Sequence, residues 1–514
     1  MRIPDPKPLP LPVVYLASGL AISYYGYSFF ISAPALLYAL LILLIIALSF
    51  FKVLTFYPSF RSICTEKLCA CPNKALYSVR QLSRFTLAVT VGFVLGFVVR
   101  HSVPLPAQTG LPVEKVIAVS GILREDPRSL QRQSGIATLK LQEASAQGGV
   151  RTSAKGSLPV FFPPETVPTI KEFGRGAAVY ADGILSHTDR GYLFRASSVH
   201  IVKPAPPIEQ FRTSLRMKLL AKIAPLDKQG NPPVWSSLAS AFLLGVRDDL
   251  DSNLTNAFFN AGVAYILALS GMHLAIISAI VAFLLRRPLG MRRALIVGMI
   301  FIVGYVFIAG SQPSLVRAAL MYIIGSCAVL GFLKRHTLAI VSMAFVIQLV
   351  FQSEAGLSLS FILSYAALIG MITLGKTLHG LFKGRLPELL NHSLSVSLAA
   401  FIVTAPIVVF YFGALKPIGI ITSLFILPLA SLFMALSLAA LAGSFFPPLW
   451  NIFDPALTLL YRTIESIVVM AARVPGFSFS NPAPVLLASA LLCIALVLIL
   501  KHDDMQRKRI ASFT

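Results

Sequence analysis

Charge is what this chain has least of. Only 13% of its 514 residues are Asp, Glu, Lys or Arg, against 56% hydrophobic. A soluble domain carries roughly twice that charged share, so a water-soluble globular protein is excluded. Acid is the scarcer sign, with 21 Asp and Glu against 44 Lys and Arg and a formal net charge of +23. There are five cysteines. Cys64, Cys69 and Cys71 stand together in "ICTEKLCACPNK", without the second C-x-x-C that a zinc site needs, and read as free cytoplasmic thiols. Cys327 and Cys493 lie in apolar runs. The eight histidines are scattered, with no H-x-x-x-H or H-E-x-x-H string, and no G-x-S-x-G elbow occurs. We therefore expect no catalytic residues, no metal, no cofactor and no intrinsic enzyme activity. The amino terminus does not read as a signal peptide: its first apolar run lacks a clear small-residue cleavage site, and a second run follows almost at once.

What the chain does have is apolar runs of about 17 to 25 residues, each long enough to cross a bilayer. Three open the sequence, near 12–29, 34–52 and 83–100, and nine more follow, near 262–285, 294–310, 315–333, 338–352, 357–375, 393–412, 418–443, 452–473 and 484–500. The last but one carries Asp454, Arg462 and Glu465 and is the weakest. The loops "RRPLGMRR", "KRHT" and "KTLHGLFKGR", the segment 52–84 and the tail 501–514 are basic and belong in the cytoplasm by the positive-inside rule. This predicts a polytopic α-helical membrane protein of about twelve spans, in the cytoplasmic membrane, with both termini inside.

Between 103 and 205 the long runs stop. Short alternating segments replace them, such as "VIAVSGIL", "IATLKLQEA", "LPVFFP" and "AAVYADGIL", separated by turns such as "EDPRS". That is the period-2 pattern of a small all-β domain, expected outside the membrane as an OB-like five-stranded barrel. It is mildly basic, with twelve Lys and Arg against eight Asp and Glu over 103–203. Residues 206–260 are intermediate; "FRTSLRMKLLAKI" reads as an interfacial amphipathic helix with Leu215, Leu219 and Leu220 on its apolar side. The domain reading is 1–102, 103–205, 206–260, 261–500 and the tail.

One motif is a coincidence. "GMITLGKT", Gly370 to Thr377, fits the phosphate-loop expression, but it ends an apolar run where such a loop needs a preceding strand. The informative residues are polar ones inside the bundle, since lipid offers them no partner. Ser270, Gly271 and His273 interrupt "AYILALSGMHLAIIS"; Arg317 opens "SLVRAALM"; Ser360, Ser364 and Tyr365 lie in "SLSFILSYAA"; Arg247 stands in a charged knot with Asp248, Asp249 and Asp251. Each has an ordinary structural alternative, from a serine bonded to its own helix to an arginine reaching the surface. Together they mark a polar path or central site.

"AFLLGVRDDL", "AGVAYILALSGMHLAII", "SLVRAALM", "SLSFILSYAALIGM" and "TAPIVVFYFGALKPIGIITSLFILPLASL" occur in an order that resembles the ComEC-type competence proteins, bacterial DNA-uptake channels. "ALSGMH" is similar to that family's S-G-x-H signature and is the most specific match. The resemblance spans nearly the whole chain and implies passage of single-stranded DNA inward across the cytoplasmic membrane, with Ser270, Gly271, His273, Arg247, Arg317, Ser360, Ser364 and Tyr365 as path or gating candidates. It implies partners: membrane lipids, an external DNA receptor, a cytoplasmic ATP-driven motor and single-strand-binding proteins. The sequence departs from the family pattern in having Val246 before Arg247, where an acid is common, and Phe361-Ile362-Leu363-Ser364-Tyr365 where F-Q-L-S-F is common. Many members also carry a carboxy-terminal metallo-β-lactamase-like domain, and this chain ends at Thr514 without one, which implies a separate nuclease. A small-molecule or lipid-linked transporter would explain the bundle but not the β module. A membrane-embedded enzyme using Ser270 and His273 lacks an orienting third group and an oxyanion site.

Overall fold

The computed structural model describes residues 12–25, 88–101, 103, 108–109, 111–129, 134–146, 150–188, 191–225, 230–332, 336–444 and 447–479. The expected spans near 34–52 and 484–500, the basic segment 52–84 with its cysteine trio, and the tail lie outside the described residues. The helices are α1 (Pro12–Tyr25), α2 (Ala88–His101), α3 (Val167–Phe173), α4 (Pro207–Ile223), α5 (Ser236–Leu244), α6 (Ser252–Asn260), α7 (Gly271–Ala309), α8 (Pro313–Leu330), α9 (Thr337–Phe351), α10 (Leu359–Thr373), α11 (Gly375–Phe382), α12 (Glu388–Phe412), α13 (Ile418–Gly443) and α14 (Pro447–Ala472). The long strands are β1 (Val116–Leu123), β2 (Gly135–Ala146), β3 (Ser157–Phe162), β4 (Ala178–Thr188) and β5 (Gly191–Lys203). By contact the chain forms two units, one of 1–103 with 320–358, the other of 104–319 with 359–514.

The β texture folds as a small barrel. β1 pairs antiparallel with β2 and β4, β2 with β3, and β4 with β5, while β3 and β5 run parallel through Val160 and Phe194. The ring therefore closes in the order β1-β2-β3-β5-β4, leaving none of the five long strands as a bare edge. Alternation fills the interior: Leu139, Leu158, Val160, Phe162 and Phe194 are buried, and α3 plugs one end with Val167 and Ile170. Bulges in β2 at Gln142, opposite Ser120/Gly121, and in β5 at Ser197, opposite Asp182/Gly183, supply the bends that closure demands.

Five helices among the described residues are long and apolar enough to cross a membrane, or six if the α10–α11 pair, bent by 46°, is one span. Among the described residues the span count is thus lower than the expected twelve. Hydropathy counts every apolar run alike, but Thr337–Phe351, 15 residues long, is shorter than a bilayer crossing requires, while the runs near 12–29 and 83–100 are described only over 12–25 and 88–101. The run expected to start near 262 does not become helical until Gly271. From there α7 extends over 39 residues, broken at Gly290 where φ is 72° and the chain also carries Pro288. Arg286, Arg287, Arg292 and Arg293 flank that break.

The charges that weakened the 452–473 span have partners. Asp454 accepts the indole N–H of buried Trp235 at 2.8 Å, and Arg462 pairs with Glu465 at 3.0 Å. Ile452–Ala472 meets the length and hydropathy of a span. The segment 206–260 also differs from its amphipathic reading. In α4 the buried residues are Glu209, Arg212, Thr213 and Ile223, while Leu215, Leu219 and Leu220 are only half-buried. α5 is buried almost throughout, with Leu238, Ala239 and Phe242 fully covered. In the other unit, Tyr25 donates to the Gly356 carbonyl at 3.0 Å and Tyr24 to that of Ser353, tying α1 to the turn after α9.

Candidate functional site

The Ser-Gly-x-His break is the start of a helix. Ahead of it the chain makes one 3₁₀ turn, Ala264–Ile266, and reaches Ser270 in extended conformation (φ −126°, ψ 174°). Ser270 caps α7, and His273, three residues on, takes the place that Glu or Gln holds in a capping box. The backbone N–H of Ser270 donates to His273 Nδ1 at 3.1 Å, and Ser270 Oγ lies 3.0 Å from the same nitrogen. Nδ1 is thus an acceptor, which places the proton of the neutral ring on Nε2. His273 is fully buried, with Phe242 edge-on at 5.3 Å between ring centroids, and among the described residues its Nε2 has no hydrogen-bond partner.

Arg317 lies against the same helix start. A Cβ on Gly271 would stand 3.5 Å from its Nη2, so the bare glycine lets the guanidinium lie alongside the first turn. Ser314 donates to the Leu269 carbonyl at 2.6 Å and fixes α8 to the residue before the cap. The Arg317 guanidinium sits 5.6 Å over the ring of buried Tyr365, which stacks on Phe361 at 4.7 Å. Its Nε and Nη1 are buried and unpaired among the described residues.

Arg247 stands in the loop after α5, and its charge is felt at His273. Burial, with the nearby Arg128 charge adding to it, lowers its affinity for the proton below that of a free arginine. Among the described residues the buried side-chain groups left unpaired here are all donors, His273 Nε2–H and two nitrogens of Arg317, and they lie by the positive end of α7. Such a set stabilises an anion and offers nothing to a cation. Of the predicted candidates, Ser270, Gly271, His273, Arg317 and Tyr365 come together, and Arg247 acts on His273 through its field. Ser360 is exposed and Ser364 half-buried one turn on, so neither joins the buried cluster.

Phe242, Ser314 and Leu269 were not singled out from sequence, although the Leu-Leu-Gly run ending α5 was. Gly245 closes α5 in the left-handed region at φ 69°, which turns the chain toward Arg247. The phosphate-loop match has no phosphate-loop fold: Gly370 lies inside α10, where a Cβ would meet the Ala399 carbonyl at 2.6 Å, so its job is close helix packing.

A second candidate surface lies on the barrel. Outward on β2 are Ile136, Thr138 and Lys140, opposite Phe161, Pro159 and Ser157 of β3. Phe161 is half-buried, with Arg195 of β5 beside it in the parallel pairing. Arg124 donates to Ser157 Oγ at 2.8 Å along the same edge. A half-exposed aromatic among basic residues is the kind of platform on which a base can stack. The signal was in "LPVFFP", where alternation sends Phe162 in and Phe161 out.

A family model described as "Competence protein" matches residues 242–504. The chain is also similar to "ComE operon protein 3" of Bacillus subtilis (strain 168), at 29% identity over 284 residues, covering 52% of this chain and 34% of that protein. An uncharacterized protein of Aquifex aeolicus (strain VF5) is 27% identical over 233 residues, covering 45% of this chain and 53% of its own. The chain thus spans about a third and about half of the length of these curated relatives.

Proposed function

Because the chain belongs to the competence protein family, we propose that it conducts a single strand of DNA inward across the cytoplasmic membrane during transformation. The observation that carries this reading is the buried donor-only cluster at the start of α7, inside an apolar bundle. Three donor atoms on Arg317 and His273, unpaired among the described residues, are costly in such a place unless an acceptor visits them. A phosphodiester supplies acceptor oxygens and negative charge, and the positive end of α7 and the Arg247 charge add to the attraction.

The barrel supports the same reading. Its strand order, with one parallel closing pair and a helix between β3 and β4, is that of an OB-type barrel, a module that binds single strands by stacking and backbone charge. In this reading the barrel faces outward and the arginines at the Gly290 break face the cytoplasm. Phe161, Lys140 and Arg195 hold the incoming strand, and Arg317 with His273 meet its phosphates within the bundle. In this reading an ATP-driven motor, single-strand-binding proteins and an external receptor are its partners.

Deletion of the gene tests the role. Transformation by free DNA and uptake of labelled DNA should both fall to background and return with the wild-type gene. Normal uptake in the deletion strain would refute it.

A further inference from the structure

The most densely bonded ionic group in the described protein lies outside the donor cluster, where the barrel meets α4 and the loop after α5. Asp126, in the turn after β1, accepts from Arg212 Nη1 at 2.9 Å, from Arg212 Nη2, from Arg216 Nη1 at 2.5 Å and from the backbone N–H of Arg175 at 3.2 Å. Arg175 in turn donates to Glu209 at 2.5 Å and to Ser311 at 3.3 Å, and Arg212 Nε donates to Glu209 at 2.7 Å. Arg216 also donates to the Leu244 carbonyl at 3.1 Å, at the end of α5. A second contact has the opposite polarity. Here the acid belongs to the bundle: Asp248 accepts the backbone N–H of Ser129 at 3.0 Å and pairs with Lys171 of α3 at 2.6 Å.

We propose that Asp126 and Asp248 form a two-point clasp that holds the barrel in one fixed register over the loop bearing Arg247. They are positioning residues for the hand-off of the strand from barrel to bundle. The geometry of the clasp stands by itself; its purpose rests on the DNA-passage reading above.

Three features argue for registration rather than simple adhesion. Arg212 is 2% exposed, and a buried ion pair contributes little net stability over an apolar contact while strongly penalising any arrangement that separates it. The acid lies on the barrel at one point and on the bundle at the other, so a shift of the barrel unpairs both at once. Finally, Asp248 is the residue next to Arg247, and Arg216 grips the carbonyl of Leu244, so the clasp holds both sides of the turn that aims Arg247.

The test uses full-length protein in nanodiscs, with native cysteines replaced and spin labels on Lys155→Cys in the barrel and Asn256→Cys in the bundle. The wild-type clasp should give one narrow distance distribution by double electron–electron resonance. The Asp126→Ala/Asp248→Ala double variant should broaden it severalfold, and the Asp126→Glu variant should keep it narrow. A narrow, unshifted distribution in the double variant overturns the clasp. Because the double variant could misfold, Lys171→Ala, which removes one half-exposed partner, serves as a milder second case, and it too should broaden the distribution. DNA uptake is measured separately: the double variant should lose at least tenfold while binding of a labelled oligonucleotide to the full-length protein persists. A broadened distribution with normal uptake would overturn the hand-off role and leave the clasp standing.

Discussion

Replacing His273 by glutamate separates a structural histidine from one that meets DNA. His273→Ala does not, because it removes several things at once. Losing the reciprocal bond from the Ser270 N–H costs about 1 kcal/mol, and emptying a fully buried ring site adds roughly 2–4 kcal/mol. Reduced uptake in that variant would then reflect reduced protein. Glutamate at the third helical position after serine is the standard capping-box partner, so it can accept the Ser270 N–H that Nδ1 accepts now. The Arg247 charge favours its ionised form. What changes is the sign of the site. A carboxylate about 6 Å from a passing phosphate, at an effective dielectric of about 20, raises the energy of that phosphate by roughly 3 kcal/mol. That is about a hundredfold in passage rate. The neutral control is His273→Gln, which keeps the cap and an N–H donor and should lose far less. The assay is uptake of labelled DNA per unit of membrane-inserted protein, measured by quantitative immunoblot. Full uptake by a well-inserted His273→Glu protein would refute the assignment of this site to the DNA path.

Arg317→Ala should lower uptake tenfold or more, and Arg317→Lys should restore part of it, because the charge survives without the planar fork; equal uptake in all three proteins would exclude a phosphate contact. Burial disfavours the Asp126 charge, but hydrogen bonds from Arg212 and the Arg212 and Arg216 charges outweigh it and hold the carboxyl below its usual range. A depressed folded-state value means that its stabilising effect is complete above the unfolded value of about 3.9 and is lost as pH falls through the lower folded one. Thermal unfolding of the solubilised protein should therefore show a loss of stability on strong acidification that Asp126→Asn lessens; identical pH profiles would contradict this. In a cysteine-free background, Lys155→Cys should react with an impermeant maleimide in intact spheroplasts and Arg287→Cys only after permeabilisation; the reverse pattern would invert the topology.

The barrel was legible because half-buried strands write their period into the sequence, and its turns carry Gly, Pro and Asp. The bundle was legible as apolar but not as a count of spans. Hydropathy sees composition, not where a helix begins, and "AYILALSGMH" is uniformly apolar up to a cap that only geometry reveals. His273 could be found because an imidazole in an apolar run has few excuses. Its function as a capping acceptor came only with the geometry, as did the finding that Nε2 has no partner among the described residues. The clasp was not legible. Asp126 sits in what reads as an ordinary turn, and Arg212 and Arg216 read as the wet side of an amphipathic helix. The two arginines stand 86 and 90 residues from Asp126 along the chain, beyond the reach of any local pattern.

Those long separations bear on how the molecule is made. The parallel pairing of β3 with β5 needs the whole module to be synthesised, since β5 is its last strand. The Asp126 contacts must wait for α4, and the Ser129–Asp248 contact, spanning 119 residues, for the loop after α5. Contacts of such range form late, after the local elements are in place. A ribosome-bound chain therefore holds a finished barrel before it holds anything to fasten the barrel to. Without the barrel in place, Arg216 would have no Asp126 to meet, and Arg212 would keep only Glu209 of its own helix. The ionic group is thus the last part of this unit to be assembled, completed only when α4 and the loop after α5 lie beside a finished barrel.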